Sequence, residues 1–305
     1  MIKKYIFVGF IGLAFFLLAD RLYFLLVDPA KPTVKQGVTA FYPLLNNLKE
    51  SNGRAQNLLY QPIPHFSLDG IDLKGSKEGQ LTLSDMRKIA KGRSFSLGFT
   101  VKPLTSKYNR SWRYNSIPDE DYFSIVWTGN IANSQHPLFA LGKHGSDFFF
   151  GSTNSRTDGI QFEFPWEPTE RLNILFTFNR SQKRSILYIN GEKIVENRLQ
   201  GFVKLPKQLI LGGGFTPEIG LIGNYSQLAV WSRELSPEEA KSEHEGRTQW
   251  RNFAGVGLTI YRFFLVLLIT LAMWMGEKRG LFKSLSDKLV LLKKRVNVFF
   301  LVHLF

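Results

Sequence analysis

The chain has 305 residues, no cysteine and a formal net charge of +14. Without cysteine there is no disulfide framework, no thiolate nucleophile and no thiolate metal ligand. The positive charge raises nucleic acid as a partner, but residues 277–305 hold seven Lys/Arg against two acids, and Lys3 and Lys4 stand before the first apolar run. About half of the excess therefore flanks hydrophobic segments, where membrane topology places it, and no nucleic-acid partner is expected.

Lys3-Lys4 is followed by YIFVGFIGLAFFLLA, the charged Asp20-Arg21 and LYFLLV. Residues 5–27 reach the roughly 20 residues that a bilayer span requires. The pattern predicts an uncleaved signal anchor over 1–27, with a cleaved signal peptide as the alternative. Residues 28–55 are polar, carry prolines at 29, 32 and 43, and read as a stalk. Within them VTAFYPLLNNLKE is expected to form a short helix packed on the following domain. Alternating strands are predicted at 63–68, 80–83 and 94–101. A long polar insertion at 102–121 follows, and a loop of that length inside a compact domain is commonly functional or disordered. Strands resume at 122–127, 137–141, 147–150 and 160–164.

Between Arg171 and Asn197 the pattern is densest. Leu172, Ile174, Phe176 and Phe178 alternate with Asn173, Leu175, Thr177 and Asn179, the period-2 signature of a strand. Both phases are largely apolar, so this strand is expected to be central and covered on both faces. A polar turn leads to Ile186-Leu187-Tyr188-Ile189, and Asn190-Gly191 supplies the positive-φ pair of a type I′ hairpin. Further strands are predicted at 208–211 and 224–231. Ser236-Pro237-Glu238-Glu239 is a helix start with a capping box, and the helix is expected to end near Gly246. Residues 253–275, FAGVGLTIYRFFLVLLITLAMWM, read as a second membrane span with Arg262 its only charge. A basic tail, 276–305, follows. Basic residues on the inner side of both spans put both termini in the cytoplasm and the β domain, 56–246, outside.

The segments LYINGEKIVENRL, LILGGG and GLIGNYSQLAVWSRELSPEEA resemble the laminin-G-like, concanavalin-A-like jelly-roll domains. The resemblance implies a mainly β fold, a two-sheet antiparallel sandwich, here flanked by two transmembrane helices. It says little about function, because this sandwich carries lectins, enzymes and adhesion modules. A laminin-G-like domain beside membrane segments also resembles VanZ-like fusion proteins, which leaves open a shortened relative of a larger membrane protein.

Glycoside hydrolysis needs two carboxylates flanking the scissile bond. The acidic cluster Asp119-Glu120-Asp121 has the wrong spacing and reads as a solvated turn, so no enzyme is expected. His65, His136, His144, His244 and His303 show no metal-ligand spacing. Some relatives hold calcium at the sandwich rim, and Asp147 and Asp158 are the corresponding candidates, although a turn-forming role suits both better. No other cofactor is expected. For a sugar, an exposed aromatic platform is needed; Trp112, Arg113, Tyr114 and Asn115 in the long insertion and Trp166 are the candidates, against a packing role for the same rings. Trp127 and Trp231 sit in apolar strands and are expected in the core. Asp20 and Arg262 fall at similar depths in the two spans, where ionised groups usually face a partner, and are expected to pair, with each snorkelling alone as the alternative. The functional expectation is a non-catalytic, membrane-anchored recognition module for an envelope glycan or protein partner. The alternative is a structural accessory subunit of a larger membrane complex.

Overall fold

The structure is a computed structural model, describing residues 23, 31–45, 47–51, 58–60, 64–74, 79–84, 86–90, 94–103, 123–128, 139–144, 147–151, 159–164, 170–198, 208–212 and 222–278. The chain divides into two units, Val27–Ala254 and a second made of Met1–Leu26 with Gly255–Phe305.

The first unit is the expected two-sheet antiparallel sandwich. One sheet follows the order β12 (Glu192–Arg198), β11 (Arg184–Ile189), β10 (Leu172–Asn179), β5 (Ser94–Pro103), β14 (Ile222–Trp231), β3 (Gly70–Lys74), β2 (Phe66–Ser67), with β1 (Val38–Tyr42) also paired to β14. The other follows β4 (Leu81–Leu83), β13 (Leu209–Leu211), β6 (Phe123–Thr128), β7 (Phe139–His144), β8 (Asp147–Gly151), β9 (Gly159–Phe162). A short helix α1 (Met86–Ile89) lies between β4 and β5 in the chain.

Alternation assigns the faces. One phase of β10 (Leu172, Ile174, Phe176, Phe178) faces the core between the sheets, with Phe95, Leu97 and Phe99 of β5 and Leu81, Leu209 and Phe150 of the second sheet. Phe95 packs against the rings of Phe176 and Phe178 at 5.7 and 5.6 Å. Tyr225 carries a polar tip through this core and donates its hydroxyl to the Ile125 carbonyl at 3.2 Å, tying β14 to β6. Burial pushes its phenol far above the ordinary value.

The other phase of the first sheet is covered too, as the two-phase pattern of β10 predicts. Leu175, Ile186, Tyr188, Ala229 and Trp231 form a second, smaller core with Phe41, Leu235 and Ala240. Trp231 belongs here, and its indole N–H finds the Val34 carbonyl at 2.8 Å. The cover comes from residues 34–41 and from the start of α2 (Pro237–Lys278). Ser236 caps that helix: its hydroxyl accepts the Glu239 N–H at 3.2 Å and the Glu239 carboxylate accepts the Ser236 N–H at 2.9 Å. This is the capping box expected from sequence.

Two expectations are corrected. The stretch expected as a helix within the stalk is strand β1, in register with β14 from Val38↔Trp231 to Tyr42↔Leu228. Its β-branched and aromatic residues suit a pleated surface, and Ala40, Phe41 and Tyr42 are buried. The terminal helix does not stop at Gly246 but continues to Lys278. Gly246 serves close packing instead: a Cβ there would lie 1.8 Å from Thr33 Oγ1.

In the second unit, Tyr23 packs on Tyr261 with ring centroids 5.5 Å apart. A Cβ on Gly257 would meet the Tyr23 hydroxyl at 2.4 Å, so the missing side chain makes the notch that Tyr23 occupies. Val256, Ile260, Phe263, Phe264, Leu267 and Leu271 of α2 are exposed. Among the described residues no helix is long and apolar enough to cross a membrane, so the two spans rest on the sequence pattern.

Candidate functional site

A cavity of about 280 Å³ opens on the α2-covered face of the first sheet. Its floor is one cross-strand row. Asn173 of β10 stands opposite Thr100 of β5, and Thr100 opposite Ser226 of β14. The row on one side, Leu175, Gly98 and Ala229, belongs to the second core; this one is polar. The Thr100 hydroxyl lies 2.7 Å from Asn173 Oδ1 and 3.2 Å from Gln227 Oε1. Gln227 sits where the β14–β5 register shifts between Ser226 and Ala229, with φ 56°. Such a bulge re-aims side chains, and a positive φ at a non-glycine residue costs roughly 1–3 kcal/mol that the surroundings must offset. Here they do so by holding its backbone N–H on the Pro43 carbonyl at 3.0 Å.

The hairpin turn forms one wall. Asn190 and Gly191 have φ of 53° and 82°, the left-handed pair that Asn-Gly was expected to supply. Asn190 Oδ1 accepts the Asn173 N–H at 2.9 Å, and the Asn190 N–H returns to the Asn173 carbonyl at 2.8 Å. Gly191 is needed for space as well, since its Cβ would lie 3.1 Å from Lys241 Cα.

Helix α2 supplies the opposite wall through His244, Arg247, Thr248, Trp250 and Arg251. Asn173 Nδ2 lies 2.9 Å from His244 Nδ1; the amide donates and the ring nitrogen accepts, which requires a neutral imidazole. Burial pulls His244 below its ordinary value, Arg247 adds to this, and Glu245 and Glu192 oppose it.

Three guanidinium groups line the cavity. Arg171 and Arg251 both meet the Asp69 carboxylate, which also accepts Lys102 Nζ at 2.8 Å. Burial alone would raise Asp69; the hydrogen bond from Lys102 and the charges of Arg171, Arg251 and Lys102 outweigh it and hold the carboxyl below its usual value. Burial, and then the charge of Arg251, lower Arg171. The third, Arg247, is 6% exposed. Its Nε donates to Glu243 Oε1 at 3.1 Å, while Glu243 Oε2 accepts the backbone N–H groups of Thr33 and Val34 at 2.9 and 3.1 Å. Both terminal nitrogens, Nη1 and Nη2, are buried without a hydrogen-bond partner. Glycine at 98 makes room for them: a Cβ there would sit 2.9 Å from Nη2.

Of the site residues singled out from sequence, Asp147 and Arg262 are described, and neither is among those lining this cavity. Trp112, Arg113, Tyr114, Asn115, Trp166, Asp158 and Asp20 lie outside the described residues. Asp147 begins β8, opposite His144, and Arg262 lies on α2. Among the described residues no group of three His, Asp or Glu side chains could hold a metal ion.

No protein-family model and no curated protein sequence matches the chain. Solved structures do. A sialidase from Trypanosoma rangeli is similar with TM-score 0.55 and 14% identity over 70% of this chain and 33% of that one. The receptor-binding domain of botulinum neurotoxin type G gives 0.50 and 15% over 69% and 51%. The ligand-binding domain of serotype D, in complex with N-acetylneuraminic acid, gives 0.51 and 16% over 69% and 51%. The chain thus spans about a third to a half of the length of these structures. At such identities the likeness establishes the fold: the protein is an antiparallel two-sheet β-sandwich of jelly-roll type.

Proposed function

We propose that the protein is a non-catalytic recognition module that holds a carbohydrate in the cavity over the Asn173–Thr100–Ser226 row. The observation carrying this is a concave site lined mostly by amide, hydroxyl and guanidinium side chains, with His244, Glu170, Leu68 and the indole of Trp250 beside them. Sugars offer hydroxyls to the first kind of group and apolar ring faces to the last. Among the described residues Glu170 is the one carboxylate lining the cavity, whereas glycosidases of the two-carboxylate kind use a pair. The similarity to a domain solved with N-acetylneuraminic acid fits the same reading.

The recognition module is anchored in the outer face of a membrane, with both termini inside and an envelope glycan as its ligand. This rests on the apolar runs 5–27 and 253–275, the basic residues flanking them, the exposed apolar side chains of α2 and the seating of Tyr23 on Gly257 and Tyr261. Small residues at helix contacts are typical of packing in lipid. Asp20 and Arg262 pair between the spans. A glycan array probed with the detergent-solubilised full chain tests the binding; carbonate extraction of membranes and protease shaving of intact cells test the anchoring. A chain that binds no sugar, or a sandwich shielded from external protease, overturns the corresponding half of the reading.

A further inference from the structure

We propose that His244, Asn173, Thr100 and Gln227 form a reversible hydrogen-bond relay across the cavity, and that a proton on His244 reverses the relay and weakens ligand binding. The inference rests on the carbohydrate reading above and specifies how that same site is regulated.

The relay is one continuous chain of side chains. His244 Nδ1 on α2 lies 2.9 Å from Asn173 Nδ2 on β10. Asn173 Oδ1 lies 2.7 Å from the Thr100 hydroxyl on β5, and that hydroxyl lies 3.2 Å from Gln227 Oε1 on β14. All four residues line the cavity. The ring at one end sets the direction in which the protons point. Neutral His244 accepts at Nδ1, so Asn173 turns its NH2 group to the ring and its oxygen to Thr100. The Thr100 hydroxyl has one proton for two oxygens. The nearer, Asn173 Oδ1, takes it, and Gln227 Oε1 keeps an acceptor position for a ligand hydroxyl.

An imidazolium donates from both nitrogens. Asn173 must then present Oδ1 to the ring and Nδ2 to Thr100. The Thr100 oxygen accepts from that amide, and its own proton turns to Gln227 Oε1. The movement is small. The Asn173 backbone is pinned by Asn190 through bonds of 2.9 and 2.8 Å, and the Gln227 N–H by the Pro43 carbonyl at 3.0 Å. Only the terminal amide torsion of Asn173 has to change, and that torsion is broad and roughly two-fold. The same groups thus have two arrangements, and the charge on one ring chooses between them. Reversal exchanges donor for acceptor at Asn173 and occupies Gln227 Oε1. A sugar hydroxyl matched to one arrangement meets an unmatched group in the other.

The charged neighbours fix the resting state. Burial and Arg247 oppose a proton on His244, and together they prevail over Glu245 of the same helix and Glu192 of the hairpin. Glu170 and Arg171, opposite in sign, line the same cavity. Arg251 and Lys102 are held by Asp69, and Arg247 by Glu243. The cavity described above is therefore the neutral-histidine state, and acidification is what leaves it.

The test is solution NMR on the detergent-solubilised full chain, labelled at the side-chain nitrogens of histidine, asparagine and glutamine and titrated from about pH 8 to about pH 5. His244 is expected to lack a proton on Nδ1 at the upper end, and the side-chain amides of Asn173 and Gln227 to shift with its midpoint. Thr100→Val, checked for folding by thermal unfolding, is expected to leave Asn173 following His244 and to silence Gln227. A neutral ring that carries its proton on Nδ1 overturns the relay. So does a Gln227 amide that ignores His244 in the parent chain, or still follows it in folded Thr100→Val. A glycan array probed at both ends of the range reads the consequence: binding is expected to weaken on acidification, by up to about tenfold per pH unit below the folded pKa, the limit for one linked proton. Equal or stronger binding at the acidic end overturns the gating and leaves the carbohydrate reading standing. An array without any bound sugar overturns the carbohydrate reading and the gating with it, whereas the titration decides the relay by itself.

Discussion

Replacing Glu243 by alanine is expected to destabilise the sandwich severely. Glu243 and Arg247 form an ion pair whose side chains are 4% and 6% exposed. Removing the carboxylate leaves a guanidinium buried without its counter-charge, which costs about 3–5 kcal/mol. The backbone N–H groups of Thr33 and Val34 lose their acceptor as well. In a domain of 150–250 residues each kcal/mol moves the unfolding midpoint by about 2–4 °C, so a fall of about 6–20 °C is expected. The double variant Glu243→Ala/Arg247→Met removes the stranded charge and keeps an apolar side chain over Gly98. It is expected to regain about 2 kcal/mol or more of the loss, because apolar replacements of buried pairs are often neutral. Thermal unfolding of the full chain, followed by tryptophan fluorescence, measures both. If the single variant shifts the midpoint by less than about 2 °C, or the double variant is no better than the single, the pair is not the desolvated contact described here.

Gly191→Ala is expected to lower stability by about 1–2 kcal/mol, the cost of a left-handed conformation for an L-residue, with further loss because the new Cβ meets Lys241 Cα at 3.1 Å; an unfolding midpoint equal to the parent's would contradict this. Ser236→Ala removes the cap of α2 and is expected to cost about 0.5–2 kcal/mol, read by chemical denaturation. Burial holds His244 below the ordinary histidine value of 6.5, so the unfolded chain binds the proton more readily. Its contribution is present above pH 6.5 and is lost as the pH falls from there through the folded pKa. The midpoint is therefore expected to drop on acidification through this window, and His244→Gln to flatten that part of the profile; an unchanged slope in the variant would refute the assignment.

Much of the sandwich was legible because its signals are local. The two apolar phases of β10 announced a strand covered on both faces, Asn190-Gly191 announced the hairpin, and Ser236 with Glu239 announced the cap. What escaped depends on distant partners. β1 looked like stalk because prolines and polar residues surround it, and its pairing partner β14 begins nearly two hundred positions later. Gly246 looked like a helix stop because a glycine's local preference is visible in sequence and its contact with Thr33 is not. The cavity escaped for the same reason. Arg171, Arg247 and Arg251 form no motif, and attention to exposed aromatics led to Trp112 and Tyr114 instead. A partial signal did exist: Thr100, Asn173 and Ser226 are polar residues of largely buried strands, and a shared polar row between strands marks a place where the cover is not purely hydrophobic.

That row has a consequence for how the protein is made. Its three members come from positions 100, 173 and 226, and they meet only when β5 has found both β10 and β14. Pairings between such remote segments form late and slowly. Competence to bind therefore appears only on completion of the sheet, and a tight ligand would serve in the laboratory as a reporter that separates fully assembled molecules from collapsed intermediates.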